Sequence, residues 1–322
     1  MKGQANLWTP GIKVGVRPGN FTFDNELFGP VLSIVRAQNL EDALHIVNGT
    51  RYGLTSGLQS LDRREQELWR GQIQAGNCYI NRGITGAIVQ RQPFGGTKDS
   101  AFGHGYKAGG PNYLLQLMHA SSSAELSERC ELQGVLRELS QKSDSDVAAA
   151  LESYAYWWQE YFSMPHDPSK LIGQDNELVY RPRRQETAGA CVRVRLNEGD
   201  RCEDAVLLLG AALLCGAELK LSVPVSMQEA VSALGMAAVV VESDAQFVDG
   251  MASGKGYRFV SCPSEDVLQA MADKGCQVLV VPVQRHGRLE LPNFLQEVAF
   301  STDYHRYGNL GDREHEERRP LD

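Results

Sequence analysis

The stretch that decides the reading of this chain is Gly83-Ile84-Thr85-Gly86-Ala87-Ile88-Val89-Gln90-Arg91-Gln92-Pro93-Phe94-Gly95-Gly96. Its first half is a glycine-opened loop in which consecutive backbone N–H groups can approach an anion without a side chain in the way. Its second half is a Pro-Phe-Gly-Gly turn that holds one aromatic ring beside that loop. Just ahead, Cys78-Tyr79-Ile80-Asn81 reads as a strand that delivers the chain into the loop, and Lys107-Ala108-Gly109-Gly110-Pro111-Asn112-Tyr113-Leu114 follows it. Functional loops at strand ends are the usual arrangement in α/β domains.

Working upstream, residues 31–35 form a short β-branched run that predicts a buried strand. Asn39 is placed to cap a helix carrying Leu40, Ala43, Leu44 and Val47 on one face and ending at Gly49. Asp62 and Glu65 have capping-box spacing for a second helix, which carries Leu68, Trp69 and Ile73 and stops by Gly76. Downstream, His119-Ala120-Ser121-Ser122-Ser123 is a small polar stretch and the best domain boundary. Helical segments are expected at 124–140 and 145–162, the second with Val147, Leu151, Tyr154 and Trp158 as a core stripe rather than a cofactor box. From residue 190 onward strands and helices alternate. Strands are expected at 191–196, 219–223, 238–241, 258–261 and 277–283, with helices at 203–215, 226–234 and 264–274, which predicts a parallel Rossmann-like sheet.

That second sheet lacks a nucleotide fingerprint. After its first strand stands Asn197-Glu198-Gly199-Asp200, with one glycine and two acids where a G-x-G-x-x-G turn would receive a pyrophosphate. Gly254-Lys255-Gly256 is no P-loop either, because Gly250 is too near and no Ser or Thr follows Lys255.

The bulk numbers set limits. At 322 residues the chain can hold two domains with separate cores. A net charge of −8 opposes non-specific nucleic-acid binding. Seven cysteines without CxxC spacing fit reduced thiols in a cytoplasmic protein. The amino terminus lacks a signal-peptide core, and the longest apolar run, 205–217, is too short to span a bilayer. No His/Cys/Asp/Glu cluster has metal-ligand spacing, and no metal is expected.

Taken with Glu26-Leu27-Phe28-Gly29-Pro30 and the preceding LWTPGIK, the loop and turn resemble the C-terminal end of an aldehyde dehydrogenase. The loop resembles that of the branch that oxidises L-glutamate γ-semialdehyde, the open form of 1-pyrroline-5-carboxylate. Residues 155–183, AYWWQEYFSMPHDPSKLIGQDNELVYRPR, are similar to the junction of long bifunctional proline-utilisation flavoenzymes, in which proline dehydrogenase is fused to this dehydrogenase. Ser301 to Leu310 resembles the terminal motif that caps the dehydrogenase side in that class, with Tyr304, Tyr307 and Leu310 offering apolar contacts. The charged GDREHEERR that follows reads, by itself, as a solvated tail.

The resemblance implies a fold class and a division. The fold is α/β: the C-terminal part of an aldehyde dehydrogenase catalytic domain at 1–120, a helical junction at 121–185, a Rossmann-like domain with a degenerate nucleotide site at 186–300, and a capping motif and tail at 301–322. It implies NAD as hydride acceptor, with FAD confined to a proline dehydrogenase domain absent here. It also implies site residues. Glu26 would hold the nicotinamide ribose through its two hydroxyls, and Phe28 would pack against the nicotinamide. Gly86 and Ala87 would anchor the substrate α-carboxylate, and Phe94 would wall its aliphatic stem. In family members the cysteine nucleophile and glutamate base precede the Glu26 motif, so both are expected to be missing, along with most of the NAD-binding domain. Cys78 lies in an apolar strand with no cation or helix start to activate it and is expected to be a structural thiol. The isolated chain is therefore expected to be inactive without an N-terminal dehydrogenase portion as partner, and the family is at least dimeric. The alternative is a non-catalytic scaffold or lid that assembles with a separate N-terminal portion.

Overall fold

The computed structural model describes residues 6–120, 126–184, 192–233 and 239–318. Its central element is the strand Leu295–Asp303, which no sequence pattern singled out. Along its whole length it pairs antiparallel with Gln174–Pro182, from Leu295 opposite Pro182 to Asp303 opposite Gln174. Its other edge pairs parallel with Asn77–Ile80, the strand that enters the glycine loop, and Thr55–Leu58 lies beyond it. The order is thus Thr55–Leu58, Asn77–Ile80, Leu295–Asp303, Gln174–Pro182. The last strand of the chain and the junction strand complete a sheet that the first third of the chain begins.

That pairing builds a core from both ends of the sequence. Leu44, Trp69, Ile73, Cys78 and Ile80 pack with Val298 and Phe300. The Trp69 and Phe300 rings meet edge-on at 6.3 Å, a geometry worth about 0.5–1.5 kcal/mol beyond burial itself. The guanidinium of Arg70 lies 4.3 Å from the centre of the Phe300 ring and also pairs with Glu177 at 2.6 Å.

The flanking helices form where their signals stand. Asn39 accepts from the Asp42 N–H and starts Leu40–Asn48, with Leu44 buried. Asp62 accepts from the Arg64 N–H and starts Arg63–Gln72. Its capping box does not close: the Glu65 carboxylate turns instead to the Ser60 hydroxyl at 2.5 Å. Val31–Ser33 forms a strand, but with a two-stranded partner at Gly11–Lys13 and not buried as expected. Val31, Leu32 and Ile34 stay exposed because no described layer stacks on that small sheet.

The second domain carries the expected parallel sheet. Its strands Val192–Arg195, Leu219–Val223, Val239–Val241, Gly256–Phe259 and Gln277–Val280 stand in the order third, second, first, fourth, fifth. All the pairings are parallel. Residues 124, 125, 191, 234 and 238 of the expected elements, and 121–123 of the expected boundary, lie outside the described residues. The apolar run at 205–217 is the buried helix Cys202–Cys215, and no described helix is long and apolar enough to cross a membrane. Ser145–Trp157 buries Val147, Leu151 and Tyr154 against it and continues as a π-turn, Trp158–Phe162. The helix expected at 124–140 is shorter, Gly134–Gln141, since Leu132 tucks into this core and Gly134 takes a φ of +54°. The expected division at residue 300 falls inside the strand Leu295–Asp303.

Two further locks join the parts. Arg258 and Glu290, both buried, form a bidentate pair at 2.6 and 3.1 Å, and Glu290 also accepts from the Gln284 N–H. The 103–112 segment of the first domain is held to the second. Arg183 donates to the His104 carbonyl, Glu297 accepts from the Lys107 N–H and the Asn112 amide, and Arg288 donates to Asn112.

The tail departs from the solvated reading. Arg313 makes a bidentate pair with Asp175 at 2.8 and 3.0 Å, and Arg318 pairs with Asp167 and Asp175. The carboxylates of the junction neutralise the tail's cations, so it lies against the protein. Tyr304 packs there too, accepting from the Gly173 N–H at 2.7 Å under the Arg313 guanidinium, whereas Tyr307 is fully exposed and makes none of the apolar contacts expected of it.

Glu290→Gln strands the buried Arg258 charge and is expected to destabilise the chain by about 3 kcal/mol in urea unfolding; a loss under about 1 kcal/mol would mean the pair is not holding the second domain. His104, stacked on Tyr106, has its pKa depressed to about 4 by burial and then by Arg183 and Arg258. Its neutral form is thus favoured by folding. That stability is present above about pH 6.5 and disappears as pH falls through about 4. His104→Leu should reduce the stability difference between pH 7 and pH 4.5 by about 2 kcal/mol, and an unchanged difference would contradict the burial of a neutral ring.

Candidate functional site

The glycine loop leaves the Asn77–Ile80 strand through Asn81, whose φ of +59° turns the chain out of the sheet. Gly86 sits at φ +82°, a conformation that costs a residue with a Cβ about 1–2 kcal/mol. The Tyr79 hydroxyl donates to the Gly86 carbonyl at 3.0 Å. Burial raises the Tyr79 pKa, so the phenol is a protonated donor at neutral pH. With its carbonyl so held, the peptide turns its N–H edge outward. Among the described residues, the N–H groups of Gly86 and Ala87 meet no acceptor, and both residues are exposed. Two adjacent, unengaged donors can together receive an anionic group such as a carboxylate.

The Pro-Phe-Gly-Gly turn is anchored to the body. Phe94 and Ala108 exchange two backbone hydrogen bonds at 2.9 Å. The buried Asn77 amide donates to the Pro93 carbonyl, and its oxygen accepts from the Gly95 N–H. A Cβ on Gly76 would collide with the Gly95 carbonyl oxygen, so only glycine lets this turn lie flat on the strand. The wholly buried Lys107 ammonium donates to the Gly95 carbonyl at 2.5 Å and to Asn77 at 3.2 Å. Burial draws its pKa down to about 8, against the pull of Glu297. Phe94 keeps 36% of its surface exposed, enough ring to face a ligand.

Glu26 and Phe28 lie apart from this loop in the exposed segment that enters Val31–Ser33. Phe28 is 94% exposed at a φ of +49°. Among the described residues none forms an ion pair or hydrogen bond with the Glu26 side chain. Gly86 and Ala87 thus lie in the exposed loop and Phe94 in the anchored turn that follows it, while Glu26 and Phe28 lie in the exposed segment ahead of Val31–Ser33.

Cys78 takes no part in this surface. It is buried, its thiol points to the Ala75 carbonyl, and burial pushes its pKa up to about 12, the reverse of an activated nucleophile. Tyr79, Asn77 and Lys107 are the supporting residues that sequence reasoning passed over. The available signal was polar side chains interrupting an apolar strand, and a lysine beside two glycines.

The pattern of the Aldehyde dehydrogenase family matches residues 1–122. The 1-pyrroline-5-carboxylate dehydrogenase of Geobacillus thermodenitrificans is 43% identical over 117 residues, which are 36% of this chain and 22% of that protein. That of Bacillus subtilis is 47% identical over 100 residues, 31% of this chain and 19% of the relative. Among solved structures, proline utilization A from Corynebacterium freiburgense is 36% identical with a TM-score of 0.76, over 94% of this chain and 28% of that one. The chain spans about a fifth of the length of those two dehydrogenases and 28% of the solved chain. The likeness to the aldehyde dehydrogenase family thus covers residues 1–122 of this chain.

Proposed function

We propose that this chain is the C-terminal portion of an NAD-dependent L-glutamate γ-semialdehyde dehydrogenase acting in proline catabolism in the cytoplasm. The observation that carries this reading is the pair of unengaged N–H groups at Gly86 and Ala87, on a loop whose Gly86 carbonyl is held by Tyr79. An aldehyde bearing an α-carboxylate is the substrate class that such a receptor selects. Phe94 would lie along its methylene stem. The relatives named 1-pyrroline-5-carboxylate dehydrogenase support the same substrate.

NAD fits the residues present. Glu26 offers a carboxylate with no competing cation among the described residues, suited to the two hydroxyls of a ribose, and the exposed Phe28 ring can pack on the nicotinamide. Bound there, NAD would accept the hydride released when the aldehyde is oxidised. The cysteine nucleophile and the glutamate base would come from the dehydrogenase portion that precedes the Glu26 motif in family members. FAD chemistry would belong to a fused proline dehydrogenase domain. Residues 1–120 would form the dehydrogenase segment, 121–185 the junction, and the residues from 186 the Rossmann-like domain, which ends where Leu295–Asp303 returns to the first sheet. The Rossmann-like domain takes no nucleotide on this reading, which is supported by Asn197 bonding across the sheet to Ser261 and by Asp200 accepting from the Asn197 N–H.

The test is NADH formation from glutamate semialdehyde by this chain mixed with a nucleophile-bearing N-terminal portion. Activity is expected only in the mixture. Gly86→Ala should raise KM for the semialdehyde about tenfold and leave KM for an aldehyde without a carboxylate within about twofold. A folded mixture with no activity would favour a non-catalytic scaffold or lid.

A further inference from the structure

Gln92, where the glycine loop rejoins the body, is 3% exposed, and its amide is engaged on every side. Its oxygen accepts from the Ile88 N–H at 3.0 Å, which pins the back of the loop. Its nitrogen donates to the Asn176 side-chain oxygen at 2.7 Å and to the Ser301 hydroxyl at 3.1 Å. Ser301 in turn donates to the same Asn176 oxygen at 2.7 Å and accepts from Arg82, the residue just before the loop, at 2.7 Å. Asn176 and Ser301 are each 1% exposed and sit opposite one another on the paired strands Gln174–Pro182 and Leu295–Asp303.

Where these three side chains meet, each donor faces an acceptor. The two amide hydrogens of Gln92 have two acceptors. The Ser301 oxygen gives its one hydrogen and fills both lone pairs. The Asn176 oxygen receives two donors, while its nitrogen goes to the Ser169 hydroxyl at 3.2 Å. Rotating the Gln92 amide by half a turn would set its oxygen against that of Asn176 and its nitrogen against the Ile88 N–H. Its orientation is therefore fixed by the paired strands, and the position of Ile88 by Gln92. Buried polar groups hold such arrangements firmly because an unmet donor or acceptor there finds no water.

We infer that Gln92, Asn176 and Ser301 form a positioning relay through which the paired strands Gln174–Pro182 and Leu295–Asp303 set the loop that presents the Gly86 and Ala87 amides, and so set affinity for a carboxylate-bearing aldehyde. The role in affinity rests on the proposed reading of that loop as a carboxylate anchor. Two members of the relay lie outside the family match at 1–122, so residues beyond the dehydrogenase segment are specificity determinants for its substrate. Arg82 and Gln92, at the loop's two ends, converge on the one Ser301 hydroxyl, so its loss would loosen both ends together.

The experiment has two arms. In the full chain, hydrogen exchange at the Ile88 amide should quicken at least about tenfold in Asn176→Ala and Ser301→Ala. It should stay within about twofold in Ser301→Thr, which retains the hydroxyl. The Leu208 amide in Cys202–Cys215 reports whether the second domain remains folded. Unchanged Ile88 exchange in both alanine variants would overturn the relay. In the mixture with the N-terminal portion, Asn176→Ala should raise KM for glutamate semialdehyde about tenfold, with kcat within about threefold and KM for propanal unmoved. Parallel changes in KM for both aldehydes, or none, would overturn the role in substrate recognition. Should the unmodified mixture be inactive, the anchor reading fails, and Ile88 exchange still decides whether the paired strands hold the loop.

Discussion

The strand Leu295–Asp303 is the constraint on which the rest of the structure depends. It is hydrogen-bonded on both edges, to Asn77–Ile80 and to Gln174–Pro182. Its Val298 and Phe300 side chains pack with Leu44, Trp69, Cys78 and Ile80, while Leu295 belongs to the core of the second domain. Its polar residues hold the rest: Glu297 receives Lys107 and Asn112, and Ser301 receives Arg82 and Gln92. A parallel strand pairing between residues so distant in sequence has a large loop-closure cost. The burial of both faces of this strand offsets it.

The same strand explains how an exposed loop can be well defined. Residues 83–90 are open to solvent, yet the residues that hold the loop are not: Tyr79 and Gln92 are buried, and Arg82 is largely so. The loop is thus free on the side that would meet a ligand and restrained on the side that meets the protein. Preorganised backbone donors bind an anion with less ordering cost than a mobile loop would. The exposed apolar groups of the neighbouring small sheet, Trp8, Ile12, Phe28 and Leu32, are the opposite case, a surface with side chains suited to burial and no described layer upon it.

Local signals in the sequence carried much of this, and non-local ones little. The caps at Asn39 and Asp62 and the parallel sheet of the second domain follow from periodicity and short-range chemistry. The glycine loop and the Pro-Phe-Gly-Gly turn were readable because glycine and proline restrict the backbone at the position where they stand. By contrast, Gln296-Glu297-Val298-Ala299-Phe300-Ser301 alternates too weakly to declare a strand, and its partners lie more than a hundred residues away. One capping box does close, between Ser243 and Gln246 at the start of the helix Asp244–Gly250, and a serine three residues ahead of a glutamine is a local signal for it. Val31–Ser33 looked buried because β-branched side chains imply a covering layer, and among the described residues none is there. The charged tail looked solvated because its partners, Asp167 and Asp175, are distant in sequence.

The central claim is that the strands Asn77–Ile80 and Leu295–Asp303 form one cooperative unit. Native-state hydrogen exchange under increasing denaturant tests it most directly, comparing the amides of Cys78 and Ile80 with those of Val298 and Phe300. The account predicts that all four merge into a single opening with one free energy. Exchange at Cys78 and Ile80 through a separate, lower-energy opening, with Val298 and Phe300 still protected, would contradict it.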